Sequence, residues 1–190
     1  MNREDWLAEC IAALRPMFAD RSSPVPAKVR ASCSWPSKGA LAKKNRRIGE
    51  AWSSQNSGDG SFEVFISPVL SDPVAVSATL LHELVHCSVG LAEGHKGRFR
   101  AVAVAMGLEG GMTATKPGEA LTETLKGIAE TIGPYPHAVL TESNAPKKQG
   151  TRMIKVECGS CGCVARMTRK WLDEIGPPTC GCGGDMVETE

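Results

Sequence analysis

Histidine is scarce in this chain, with four in 190 residues against eight cysteines, and tyrosine occurs once. No apolar run approaches the roughly 20 residues that a membrane-spanning helix needs, so no membrane partner is expected. The opening MNREDWLAEC puts acidic residues where a secretory leader needs an apolar centre, which points to a cytoplasmic protein. No internal repeat or low-complexity tract is present. Hydrophobic and charged fractions of 42% and 23% exclude wholesale disorder and a fibrous protein. The formal net charge of +1 identifies no partner. Acidic residues are nevertheless missing from residues 21–49, where eight Lys or Arg accumulate. The length suits one ordinary domain with a small appendage.

What is present is unevenly placed. Three of the four histidines fall within LLHELVHCSVGLAEGHKGRF, residues 80–99, and five of the eight cysteines crowd into the last 33 residues. In DWLAECIAALRPMF, Trp6, Cys10, Leu14 and Met17 recur three or four apart, the stripe of an amphipathic helix. KVRASCSWP alternates apolar with polar residues and reads as a strand. RRIGEAWS and SFEVFIS read as two more, joined by the turn-rich NSGDG. Together they predict a small antiparallel three-stranded sheet. A helix is expected from Asp72 as N-cap, with Pro73 in its first turn, to Gly90. Two others are expected over about residues 96–106 and 118–132. The fold class is therefore α+β. The polar run TESNAPKKQGTR marks a linker over residues 141–152, separating a domain of residues 1–140 from a tail of residues 153–190.

On a helix, His82 and His86 lie one turn apart on one face, and Glu83 stands a step round from them. That spacing, HExxH, suits a metal ion held by two imidazoles with a carboxylate as base. A catalytic zinc needs a third protein ligand. His95 is the nearest candidate, because Gly90 and Gly94 let the chain turn back, and His137 is the competitor. Two exposed histidines meeting the pattern by chance is the bland alternative.

The segment HELVHCSVGLAEGHKGRFRAVAVAMGL resembles the active-site region of the SprT-like metallopeptidases, whose pattern is HExxH, a short linker, then Gly-His-x-x-x-Phe/Trp leading into a helix. The resemblance runs upstream through RRIGEAW and FEVFISP and downstream into the cysteine-rich tail, so it covers most of the chain. It implies zincin-type helices packed on the sheet, His82, His86 and His95 as ligands of a catalytic Zn2+, and Glu83 as the catalytic residue. It also implies an enzyme, a zinc metalloendopeptidase. Family members include proteases acting on proteins crosslinked to DNA and many phage and bacterial proteins. Zinc on three imidazoles brings the pKa of its water to about 7, and Glu83 would take that proton and hand it to the leaving amine. Tyr135 or His137, in GPYPHAVL, is the candidate to steady the oxyanion. Packing at a turn is the plainer role for both.

The tail carries a CxxC knuckle, Cys158 and Cys161, and a CxC pair, Cys180 and Cys182. Four thiolates in two close pairs describe a structural Zn2+ site of zinc-ribbon type, and a tail this short has little other means of folding. The second pair is one residue shorter than a usual ribbon knuckle. Cys163 is a spare thiol that could replace Cys161, and disulfide chemistry is the alternative reading.

Lys43, Lys44, Arg46 and Arg47 follow the first strand, and Arg169, Lys170 and Trp171 lie in the tail. Such basic clusters with an aromatic neighbour can hold phosphates and stack a base, although surface cations more often only solvate. The partners expected are thus a protein substrate and DNA, with the chain a monomer. The competing reading is a non-catalytic nucleic-acid-binding or adaptor protein with a vestigial protease domain.

Overall fold

A computed structural model describes residues 1–141 and 153–189 of the chain. It divides into two compact units, Met1–Ser143 and Asn144–Glu190. Apart from Thr141, the linker expected over residues 141–152 lies outside the described residues, as do Lys147, Lys148 and Arg152. The fold is mixed α and β, with five helices and several small sheets among the described residues. None of these helices is long and apolar enough to cross a membrane.

In the first unit, α1 (Arg3–Ala19) begins at Asn2, whose side chain accepts the Asp5 N–H while Asp5 caps the Asn2 N–H in return. Its buried face is Trp6, Leu7, Cys10, Ile11, Leu14 and Phe18. Met17, expected in that stripe, is only partly buried, and Phe18 takes its place in the core. Arg15 then fastens the following turn, donating to the carbonyls of Val25 and Pro26 at 3.0 Å.

The strands β1 (Val29–Cys33), β2 (Gly49–Trp52) and β3 (Phe62–Ile66) form one sheet in the order β1-β3-β2. β2 pairs antiparallel with β3, but β1 pairs parallel with it, so the sheet is mixed rather than antiparallel as expected. The period-two pattern locates strands without choosing their neighbours. Here residues 34–48 carry the chain past the place β3 will fill, and only the short β2–β3 connection acts as a hairpin.

Helix α2 (Pro73–Val89) is the centre of this unit. Asp72 accepts the Ala75 N–H at 2.8 Å, Pro73 occupies the first turn, and the helix ends at Gly90 with a φ of 97°. It is buried along most of Val76 to Cys87, between the sheet and the helices α3 (Gly97–Ala105) and α4 (Glu119–Ile132). Between α3 and α4 comes a hairpin absent from the sequence reading, β4 (Leu108–Gly111) with β5 (Ala114–Pro117). Its glycines and threonines carry no apolar alternation to announce it.

The second unit has an antiparallel sheet, β7-β6-β8, from β6 (Ile154–Cys158), β7 (Val164–Met167) and β8 (Met186–Thr189), with a short helix α5 (Arg169–Ile175). Among the described residues its buried apolar side chains are Val156, Cys158, Cys180 and Met186.

Candidate metal centres

Helix α2 presents His82 and His86 on one face. Past Gly90, a single 3-10 turn (Leu91–Glu93) and Gly94, at a φ of 57°, fold the chain back so that His95 meets them. A side chain at either glycine would be strained in that backbone region. His95 Nε2 stands 3.3 Å from His82 Nε2 and 3.1 Å from His86 Nε2. Nitrogen ligands about 2.0–2.1 Å from a tetrahedral zinc ion are separated by about 3.3–3.4 Å, so the three atoms fit such an ion.

The rings are suited to that role electrostatically. Burial, then the charge of His95, brings the His82 pKa down to about 4. Burial, then His82, His95 and Arg47, brings His86 to about 3, and burial followed by Arg47 lowers His95. All three imidazoles are therefore neutral at pH 7, with lone pairs converging on one point. An unshielded meeting of lone pairs is repulsive, which a cation relieves.

Two neighbours orient the rings. His82 Nδ1 lies 2.8 Å from Thr115 Oγ1 on β5. With Nδ1–H donating to that hydroxyl, Nε2 keeps its lone pair for the centre. Phe99, fully buried on α3, packs against all three rings, with centroid distances of 5.0, 4.2 and 5.0 Å to His82, His86 and His95. Thr115 was invisible in the sequence because its hairpin was.

Glu83 is 7% exposed. Burial pushes its carboxyl up to about 8, opposed by the charge of Arg47 and the Ala51 N–H. Its space depends on Gly49: a Cβ there would sit 2.5 Å from Glu83 Oε1 and 2.7 Å from Thr79 Cγ2. Ser67 N–H donates to Ile48 O at 2.9 Å. By the alternation of an antiparallel ladder, Glu50 and Trp52 then bond to β3, while Gly49 and Ala51 turn N–H and C=O to the outer edge. Sequence reasoning had no signal for Gly49 beyond its being a glycine.

The two candidates for steadying an oxyanion sit elsewhere. Tyr135 packs edge-on against Trp6 at 5.0 Å, with its hydroxyl buried. His137 Nε2 meets Pro68 O at 2.8 Å, so its Nδ1 accepts from Arg3 at 3.4 Å. Neither residue has a contact with the three-histidine group among these partners.

In the second unit the Sγ atoms of Cys158 and Cys182, Cys161 and Cys180, and Cys180 and Cys182 are each 3.5 Å apart. A disulfide needs about 2.05 Å, whereas four sulfurs around a tetrahedral zinc stand about 3.8 Å apart. The group could thus hold a metal ion, as could the three histidines. The N–H groups of Cys161 and Ser160 bring the Cys158 thiol down to about 6. Cys163 is exposed and lies outside the group. It serves the knuckle through its carbonyl, which accepts the Cys158 N–H at 2.9 Å. Gly184 is a further requirement, since a Cβ there would come within 2.8 Å of Cys158 Sγ.

The basic residues are partly engaged. Arg47 donates to Glu50 Oε1 at 2.7 Å, Arg46 to Ala42 O at 3.3 Å, and Arg169 to both oxygens of Glu188. Lys43 and Lys44 are exposed, and Lys170 lies 4.7 Å over the ring of Trp171. No family model matches the chain, and neither a curated protein nor a solved structure matches it.

Proposed function

We propose that the chain is a zinc-dependent metallopeptidase of the SprT-like kind, hydrolysing peptide bonds in proteins, among them proteins associated with or crosslinked to DNA. The observation that supports this reading is that His95 Nε2 lies 3.3 Å from His82 Nε2 and 3.1 Å from His86 Nε2, with Glu83 buried on the same helix as the first two. A structural histidine site has no use for a buried carboxylate at its side. Zinc, when held by the three imidazoles, supplies a Lewis acid for the carbonyl and acidifies water. Glu83 Oε accepts the water proton and returns it to the departing amine. Burial raises the proton affinity of that carboxylate, which favours holding the proton between those two steps. Gly49 offers an outward N–H and C=O, and Ala51 an outward C=O, on the edge strand next to Glu83, where an extended peptide can pair. The Cys158, Cys161, Cys180 and Cys182 ion is structural in this reading, because four thiolates close its coordination.

Glu83→Gln tests the proposal. The variant keeps the shape of the side chain and all three histidines, so zinc content stays that of wild type while peptide cleavage is lost. Cleavage at the wild-type rate would refute the role given to Glu83.

A further inference from the structure

The face of the β1-β3-β2 sheet turned away from α2 carries the basic run that the histidine group does not use. Gly49 lies against Glu83 and Thr79, so by the alternation of a strand Glu50 and Trp52 point to the other face. There Glu50, 9% exposed, accepts four hydrogen bonds: the Ser37 N–H at 2.8 Å, the Ser37 hydroxyl at 2.7 Å, the Arg47 guanidinium at 2.7 Å and the Trp52 indole at 3.0 Å. The segment between β1 and β2 is also tied to itself, since Gly39 O accepts the N–H groups of Ala42 and Arg47, each at 3.2 Å, and Ala42 O accepts from Arg46. Residues 34–48 thus form a loop fastened to that face.

The loop presents charge and rings together. Five Lys or Arg and no Asp or Glu occupy residues 34–48. Lys38 adjoins Ser37, and Lys43 and Lys44 lie between Ala42 and Arg46, so each lysine stands within two residues of a hydrogen-bonded point. All three are exposed, and none has an acidic partner among the described residues. Trp52 donates to Glu50, and Trp35 is two residues, at most about 7 Å of chain, from Ser37. Trp35 and Trp52 are 37% and 36% exposed, and neither is stacked on another ring among the described residues. Cations beside open aromatic faces suit a polyanion that also offers flat rings, which an unpaired nucleic-acid strand does and a lipid headgroup does not. The tail is the poorer candidate: its described residues hold five Asp or Glu to four Lys or Arg, and Arg169 is committed to Glu188.

We propose that the loop of residues 34–48, with Trp52, is a docking surface for single-stranded nucleic acid, Lys38, Lys43 and Lys44 meeting phosphates and Trp35 and Trp52 stacking on bases. The surface lies across the sheet from Glu83 and does not depend on the peptidase reading.

The test is fluorescence anisotropy of the full chain with a labelled oligothymidylate of about 12 nucleotides, a length within the span of single-strand sites. Wild type binds it, and binds a duplex of the same length more weakly. In the variant Lys38→Ser with Lys43→Ser and Lys44→Ser, the slope of log affinity against log salt shallows by about 2, because a single strand releases about 0.7 counterion for each phosphate neutralised. Trp35→Ala weakens binding about tenfold at an unchanged slope, the size of one lost stack, and Trp35→Phe restores most of it. No binding by wild type, an unchanged slope in the lysine variant, or wild-type affinity in Trp35→Ala overturns the inference. Binding kept in the lysine variant but lost in Trp171→Ala moves the strand to the tail and overturns it too. So does binding to phosphatidylserine vesicles through Trp35 with which the oligonucleotide does not compete. The three lysines are exposed and make none of the loop's side-chain hydrogen bonds, so their variant decides the question where Trp35→Ala does not fold. No cleavage is read, so failure here leaves the role of Glu83 untouched, and cleavage by Glu83→Gln leaves this surface untouched.

Discussion

The two metal-ligand groups are built on opposite terms. Two of the three histidines stand on a helix whose own burial is provided by Trp6, Phe18, Leu80, Leu81, Leu84 and Leu125 in an extensive core. Phe99 packs against all three rings, and Thr115 meets His82. Cys158, Cys161, Cys180 and Cys182 belong to a unit whose buried apolar residues, among the described residues, number four, two of them the candidate ligands Cys158 and Cys180. Full burial of an apolar side chain contributes about 1.5–3 kcal/mol, while ordering each residue costs about 1–2 kcal/mol. Four such side chains cannot order that unit, and an ion held by the four thiols would supply the difference. One site is made by its fold, and the other makes its fold.

Removing metal should therefore separate the units, and this is the largest effect expected. In Cys158→Ser with Cys180→Ser, or under a chelator, the second unit unfolds, because structural zinc contributes roughly 10 kcal/mol or more. The first unit keeps its helical circular dichroism and its cooperative melt. Simultaneous loss of both would break the comparison.

Glu83→Gln comes next, with a fall in kcat of about 10²–10⁴-fold, the range of a general acid–base residue, at unchanged zinc content. Zinc loss in that variant would instead assign Glu83 to holding the site together.

Acid should distinguish the two groups as well. His82 and His86, lowered to about 4 and 3, bind no proton in the metal-free fold until the pH is well below 6.5. Protons therefore do not compete for them between pH 8 and 5. The thiols must release protons to bind metal, and Cys158 itself takes its proton back near pH 6. As pH falls from 8 to 5, a metal-release titration should show the cysteine ion leaving first. The reverse order would contradict the depressed histidine values.

The smallest effect is Gly49→Ala. A Cβ 2.5 Å from Glu83 Oε1 forces the carboxylate or β2 to move, destabilising the first unit by about 1–3 kcal/mol in urea denaturation. The second unit should melt unchanged.

Much of this arrangement could be read from residue spacing, because the decisive contacts are local. HELVH fixes two ligands by helical period, Asp72 with Pro73 and Gly90 mark the ends of α2, and CxxC with CxC names four thiols. Where pairing is long-range, the sequence is silent. The parallel β1–β3 pairing follows from a connection that crosses β3, and no alternation of side chains encodes it. Thr115 sits on a hairpin without an apolar pattern, and Gly49 matters only for what approaches it. Arg47 was legible as a basic residue in a cluster of others. Its attachment to Glu50 depends on how residues 34–48 fold between β1 and β2.

The most direct test of the two-site account is the zinc content of the purified full chain, measured per chain by mass spectrometry of the metal. The account predicts two ions in wild type and one after His82→Ala with His86→Ala, with the cysteine unit still folded in that variant. One ion in wild type, or two remaining after both histidines are removed, would contradict it.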